Sequence, residues 1–248
     1  MNLLWRLGSI ALLLAAWFAG SHILGARLLP EPQSVGLAIL REARSGALEF
    51  NLGVTLARVA VSFTIAMALG TVIGLAMGRF PFFDRLADPW LVVLLNLPAL
   101  VIIVLAYVWA GLTETAAITA VALNKLPVAT VTVREGARAL DRTLDEMAEV
   151  FGMSGWVRLR HVVLPQLAPY LAAAARSGLS LVWKIVLIVE LLGRPNGVGF
   201  EIGVAFQLFD VTRILAYAVA FVVVMLAIET FLVQPLERYV SRWRARPA

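Results

Sequence analysis

The sequence predicts an all-α integral membrane protein of about six transmembrane helices. Three observations carry that prediction: an excess of apolar residues, apolar runs of bilayer-crossing length, and arginines gathered in alternate gaps between those runs. Hydrophobic residues make up 61% of the 248 and charged residues 15%, against about 45–50% and about 25% in a typical soluble domain. The mean hydropathy is +0.88. Such a chain has too little polar surface to cover a water-facing globule, and residues 1–248 are expected to form a single membrane domain.

Stretches long enough to cross the hydrocarbon fall at about 3–24, 54–78, 91–110, 116–133, 171–192 and 214–233. The first follows Arg6 and precedes the small residues Gly20, Ser21, Gly25 and Ala26, which is how a cleavable signal segment is built. Its length and the membranous remainder favour a retained first helix. The third, Leu91 to Ala110, carries no charge; the fourth contains Lys125 and Pro127. No internal repeat of 20–50 residues and no low-complexity segment is visible.

Basic residues orient the spans, because Lys and Arg accumulate in cytoplasmic loops. With the N-terminus inside, the inner segments hold twelve: Arg6; Arg79 and Arg85; Arg134, Arg138, Arg142, Arg158 and Arg160; and Arg238, Arg242, Arg244 and Arg246. The outer segments hold five, namely Arg27, Arg41, Arg44, Arg194 and Arg213. Both termini are therefore expected in the cytoplasm. The same bias accounts for the net charge of +5 without a nucleic-acid partner; membrane lipid is the expected surrounding.

Two gaps have character. From Leu29 to Glu49 the chain reads Pro-Glu-Pro and then a short amphipathic helix, Ser34 to Arg44, with Ser34 as its N-cap, lying along the outer face. The segment 134–169 is the longest polar stretch. It reads as two short helices, Leu144–Phe151 and one from Trp156, joined at Gly152 and stopped by Pro165. A helix pair of that kind on the cytoplasmic side serves docking.

Several chemistries are excluded. There is no cysteine and only His22 and His161, so no catalytic residue or metal site is expected. No Gly-x-x-x-x-Gly-Lys-Ser/Thr loop occurs, so the chain is expected to bind no nucleotide of its own. A secondary transporter would show inverted repeats and broken helices in both halves; neither is legible. An intramembrane enzyme would need paired carboxylates or a nucleophile.

The residues Glu146-Met147-Ala148-Glu149-Val150-Phe151-Gly152, then nine residues, then Val162-Val163-Leu164-Pro165, resemble the EAA signature of ABC importer permeases. The spacing matches throughout, with Met147 in place of an alanine and Val162 in place of isoleucine. Asn51 to Val59 with Gly70 and Gly74, Asp84-Arg85 to Asp88-Pro89, Gly111 to Glu114, Trp183-Lys184 to Glu190-Leu191-Leu192-Gly193, and Asn196 to Phe200 look like the nitrate/sulfonate/taurine branch. That branch often has a Pro-rich third span, whereas here only Pro98 remains, after Asn96-Leu97.

The resemblance implies a type I ABC importer permease fold in the bacterial inner membrane. It implies two permease copies on two ATP-binding subunits that hold the ATP and magnesium, fed by a periplasmic substrate-binding protein. Glu146, Met147, Ala148, Gly152, Leu164 and Pro165 are then the coupling residues. The solute is expected to be a small anion such as a sulfonate, taurine, nitrate or bicarbonate; the alternative within the branch is a thiamine-precursor pyrimidine or an aromatic acid.

Ionisable groups in the hydrocarbon each cost roughly 2.5–3.5 kcal/mol at a helix centre on insertion scales. The candidate pathway residues are Arg58, Asn96, Lys125, Trp183, Lys184 and Glu190. Arg58, one turn into its span, has snorkelling to the outer interface as its rival role. Lys125 has pairing with Glu190 or Glu229 as its rival. Lys184 and Glu190 are too far apart on one helix to pair with each other. Gly70, Gly74 and Gly78 form a small-xxx-small series of the kind that packs helices closely.

Overall fold

A computed structural model describes residues 3–235, and among them every regular element is helical. In chain order these are α1 (Leu3–Leu24), α2 (Pro32–Arg44), α3 (Ala47–Arg79), α4 (Pro81–Asn96), α5 (Ala99–Ala110), α6 (Glu114–Arg138), α7 (Arg142–Val150), α8 (Gly155–Arg158), α9 (Leu164–Gly193), α10 (Val198–Gln207) and α11 (Val211–Ile228). Single π-helical turns, Leu159–Val163 and Glu229–Val233, precede α9 and follow α11. The four arginines from Arg238 onward, counted above as inner residues, lie outside the described residues.

Four continuous helical stretches are long and apolar enough to cross a hydrocarbon layer: α3, α6, α8 through α9, and α11 with its π turn. The bent pair α4–α5 supplies a fifth, and α1 is apolar over Gly8–Leu24. The uninterrupted third span expected at 91–110 is in fact two helices meeting at 99°. Proline is the cause. Pro98 has no N–H to extend the ladder and drives the preceding Leu97 into the β region, at φ −71° and ψ 125°.

Two smaller expectations are also corrected. The outer helix begins at Pro32 with Glu31 at its N-cap, not at Ser34, since proline suits the first helical position. Nor does Pro165 stop a helix: α9 runs on through it to Gly193. The wide π turn Leu159–Val163 immediately before it accommodates the missing N–H that an α-turn would leave as a break.

The chain divides into two compact units, one of residues up to Leu56 with Glu190–Leu226, the other of Ala57–Val189 with residues from Ala227 onward. In the first, Tyr217 is fully buried and its hydroxyl donates to Glu42 at 2.9 Å. Arg213 donates to Glu201 at 2.8 Å and lies over the Tyr217 ring.

The second unit is organised by α6. Its buried face (Ala116, Ala120, Ala129, Val133, Ala137) is mostly alanine, which lets neighbouring backbones come close. Against it α3 sets Gly70, Gly74 and Gly78. A Cβ on Gly74 would lie 2.5 Å from the Thr130 carbonyl oxygen and 2.9 Å from Val133 Cβ. Arg134 and Arg138 of α6 bridge to Asp88 and Asp84 of α4 at 2.5 and 2.6 Å. Val133, Ala137 and Leu167 of α9 form a buried apolar cluster below.

Gly74→Ala is therefore expected to lower stability by about 1–3 kcal/mol, the range for overpacking a filled contact. Gly53→Ala, whose added carbon meets nothing within 4 Å, should be neutral or stabilising by up to about 1 kcal/mol. Thermal unfolding of the detergent-solubilised protein compares the two.

Candidate functional site

The segment between the fourth and fifth spans folds as a compact knuckle. Asp141 caps α7, its carboxylate accepting from the Thr143 N–H at 2.8 Å. The Asp141 N–H donates in turn to Gln166 Oε1 at 2.9 Å, fastening the start of α7 to the start of α9. At the other end Gly152 takes φ +64°. Its N–H reaches the Glu149 carbonyl at 2.9 Å, and the Met153 N–H reaches that of Ala148 at 2.9 Å. This is the paired closure that glycine permits at a helix C-terminus. Ala148 is completely buried while Glu146 is exposed. Met147, Val150, Phe151 and Trp156 are exposed large apolar side chains, Val150 at 86%. Of the second half of the motif, Val162 and Val163 face inward, whereas Leu164 and Pro165 are exposed.

One carboxylate fixes this knuckle to the membrane helices. Asp145 receives Arg79 from the end of α3 at 3.1 Å and Arg158 from the end of α8 at 3.0 Å. The Arg158 hydrogen bond holds the Asp145 carboxyl below the ordinary carboxylate range; partial burial opposes that shift and the Arg79 charge adds to it. In the sequence Asp145 stands only as one of the charges that orient a polar interface around the motif, and Arg79 only as an inner-loop arginine. The helical spacing of Asp145 between Glu146 and Leu144 gave no sign of which neighbour it would meet.

The intramembrane candidates differ in what meets them. In the second unit, Arg58 is 4% exposed and engages Glu114 at both ends of its guanidinium, at 2.6 and 3.0 Å. A two-bond pair with the first residue of α6, not snorkelling to the interface, is how its charge is met. Lys125 is 1% exposed, its stem packed against Gly178 of α9, and its Nζ makes no hydrogen bond. Trp183 is buried on α9. Asn96 is exposed at the last turn of α4, donating back to the Val92 carbonyl at 2.8 Å. Lys184 is exposed.

In the first unit Glu190 is wholly buried and serves the start of α10. It accepts from Thr55 Oγ1 at 3.0 Å and from the Gly199 N–H at 2.9 Å. Asn51 accepts from the Gly197 N–H at 2.8 Å and Thr55 from that of Val198 at 2.9 Å. The free N–H groups at a helix start, and the partial positive charge there, suit a buried carboxylate. Glu190 is thereby spoken for by α10, and among the described residues no three potential metal ligands converge.

The knuckle's pH response follows from its sign. Because the folded-state pKa of Asp145 is depressed, its contribution is present above the ordinary carboxylate pKa and is lost as pH falls through the lowered value. Asp145→Asn should loosen α7 at neutral pH by about 1–2 kcal/mol, the scale of a charge-assisted hydrogen bond at a partly exposed site. Amide hydrogen exchange over 142–150 is then expected to quicken roughly five- to thirty-fold. The unaltered chain should match that only once the pH has fallen through the lowered Asp145 pKa.

Comparison with known proteins places this arrangement. A family model described as binding-protein-dependent transport system inner membrane component matches residues 66–245. A protein of Escherichia coli (strain K12) described as an aliphatic sulfonates transport permease, SsuC, is 31% identical over 93% of this chain and 88% of its own. The taurine transport system permease protein TauC of the same organism is 25% identical over 96% and 88%. Among solved structures, a chain of the MetNI methionine ABC transporter in an inward-facing conformation aligns with a TM-score of 0.67. That match has 21% identity and covers 80% of this chain and 98% of that one, a likeness of fold.

Proposed function

Given that the chain belongs to the family of binding-protein-dependent transport system inner membrane components, the permease subunits of ABC importers, we propose that it carries a small organic anion, of the sulfonate and taurine kind, across the inner membrane. The permease is a transport component and not an enzyme. Its energy comes from a separate ATP-binding subunit, which holds the nucleotide and magnesium, while this chain binds no cofactor. Two copies form the pathway, with both termini in the cytoplasm, a reading the arginine distribution supports. An external binding protein delivers the solute.

The observation that carries this proposal is the knuckle. It presents Met147, Val150, Phe151 and Trp156 to solvent on a rigid α7–Gly152–α8 turn, an exposed apolar patch of the kind that marks a protein contact. Asp145 ties that patch through Arg79 to the end of α3, a 33-residue helix. A push on α7 by a closing ATPase dimer is thus delivered to a membrane helix as a rigid-body displacement. The sulfonate assignment rests on the relatives' functions at 25–31% identity and on the excess of cationic over anionic side chains exposed at membrane depth.

The proposal is tested by co-expressing the chain with its ATP-binding subunit and binding protein and measuring ATP-driven uptake of taurine and an alkanesulfonate. Gly152→Pro demands φ near −65° where the turn needs +64°, and Glu146→Lys inverts an exposed charge on the docking face. Both variants should insert normally yet lose at least nine-tenths of uptake, or fail to co-purify with the ATPase. Normal assembly and transport in both would remove the coupling role. Accumulation of solute by this chain alone on an ion gradient would remove the importer assignment.

A further inference from the structure

We infer that one face of α9, bearing Ser177, Ser180 and Lys184, is the water-lined wall along which the anion moves, with Lys184 as its selecting cation. This rests on the importer function proposed above and adds the residues and the ligand chemistry to it. The three side chains recur at helical spacing and all are exposed. On the opposite side of the same helix Gly178, Val182, Ile185, Val186 and Val189 are buried, so α9 has one packed face and one open face, on which the two serines and Lys184 stand beside exposed Leu181, Ile188 and Leu191.

Lys184 stands nine residues before the Gly193 end of α9, about 13 Å at 1.5 Å per residue, farther than a lysine stem snorkels. Everything between them is apolar except Glu190, which is buried and committed to Thr55 and Gly199. Lipid tails cannot meet an exposed ammonium at that depth.

A second copy covering this face would have to neutralise Lys184 with a carboxylate or seal it at the cost that Lys125 carries. The carboxylates placed within the apolar spans are Glu190, already engaged, and Glu229, which faces Arg176 at 4.0 Å. Neither is free to neutralise a lysine. The hydroxyls of Ser177 and Ser180 bond only their own helix, to the Ala174 and Ser177 carbonyls at 3.2 and 3.0 Å, and keep acceptor capacity for water. An open cation beside hydroxyls at membrane depth fits a compact oxyanion such as a sulfonate, carried partly hydrated.

The absence of cysteine from the chain makes the test direct. Ser177→Cys, Ser180→Cys and Lys184→Cys each introduce a sole thiol, as do the comparison variants Val61→Cys and Leu69→Cys at exposed apolar positions of α3. In membrane vesicles holding the whole complex, the α9 thiols should react with a sulfonate-bearing methanethiosulfonate at least ten-fold faster than the α3 thiols. At Ser180→Cys the sulfonate reagent should outpace its trimethylammonium counterpart several-fold, and adding Lys184→Gln should abolish that preference.

Alpha-9 thiols as inert as those of α3 would overturn the water-lined wall. Equal rates for the two reagents with Lys184 in place would overturn its selecting role. Because labelling needs no transport, absence of ATP-driven uptake by the unaltered complex would instead overturn the importer function alone.

Discussion

The closeness of α3 to α6 is the constraint on which the second unit rests. Helices in lipid gain no hydrophobic drive from meeting one another, so they associate by packing and by polar pairs. Three glycines four residues apart on α3 remove the side chains that would hold the helices apart, and an alanine-rich face on α6 receives them. Once the two backbones touch, Arg58, at one end of that contact, meets Glu114 at the first turn of α6. At the other end, Arg134 and Arg138 hold α4 through Asp88 and Asp84. The ion pairs decorate a contact that packing has already set.

From that contact a mechanical line runs outward. Arg79 closes α3 and grips Asp145 of α7, which Arg158 grips from α8. A single carboxylate between two guanidiniums has fewer ways to rearrange than a mobile surface pair, and it lies at the joint where the α7–α8 knuckle meets a spanning helix. The exposed apolar residues of the knuckle are thus backed by charge and by the buried Ala148, not by a flexible linker. That is the arrangement a transport subunit without its own nucleotide site requires if motion is to reach the membrane.

The intramembrane charges divide by what meets them. Arg58 has a carboxylate, Glu190 has the N–H groups of α10, and Lys125 has only apolar packing against Gly178. A sealed ammonium without a hydrogen bond is costly, and among the described residues no hydrogen-bond partner meets it. Lys184 differs from all three in being open. Lys125 of α6 is sealed against the buried side of α9 at Gly178, whereas Lys184 stands on the exposed side of α9.

Composition and run length were enough to read an all-α membrane chain, and the glycine-centred spacing from Glu146 to Pro165 was enough to read a helix–turn–helix at Gly152, because both depend on local chemistry. Helix existence in lipid is nearly forced, since each backbone N–H and C=O must be satisfied within its own segment. The bend at Pro98 was less legible: one proline in a charge-free run is compatible with a kink or with a full turn of direction, and only neighbouring packing chooses. The passage of α9 through Pro165 depended on a π turn that no residue type announces. What tertiary structure alone decided was pairing: Asp145 with Arg79 and Arg158, Arg58 with Glu114, and Glu190 with the start of α10. Partners 9 to 66 residues apart in sequence meet only after helices have packed, and an isolated pattern carries no record of which face will turn toward which.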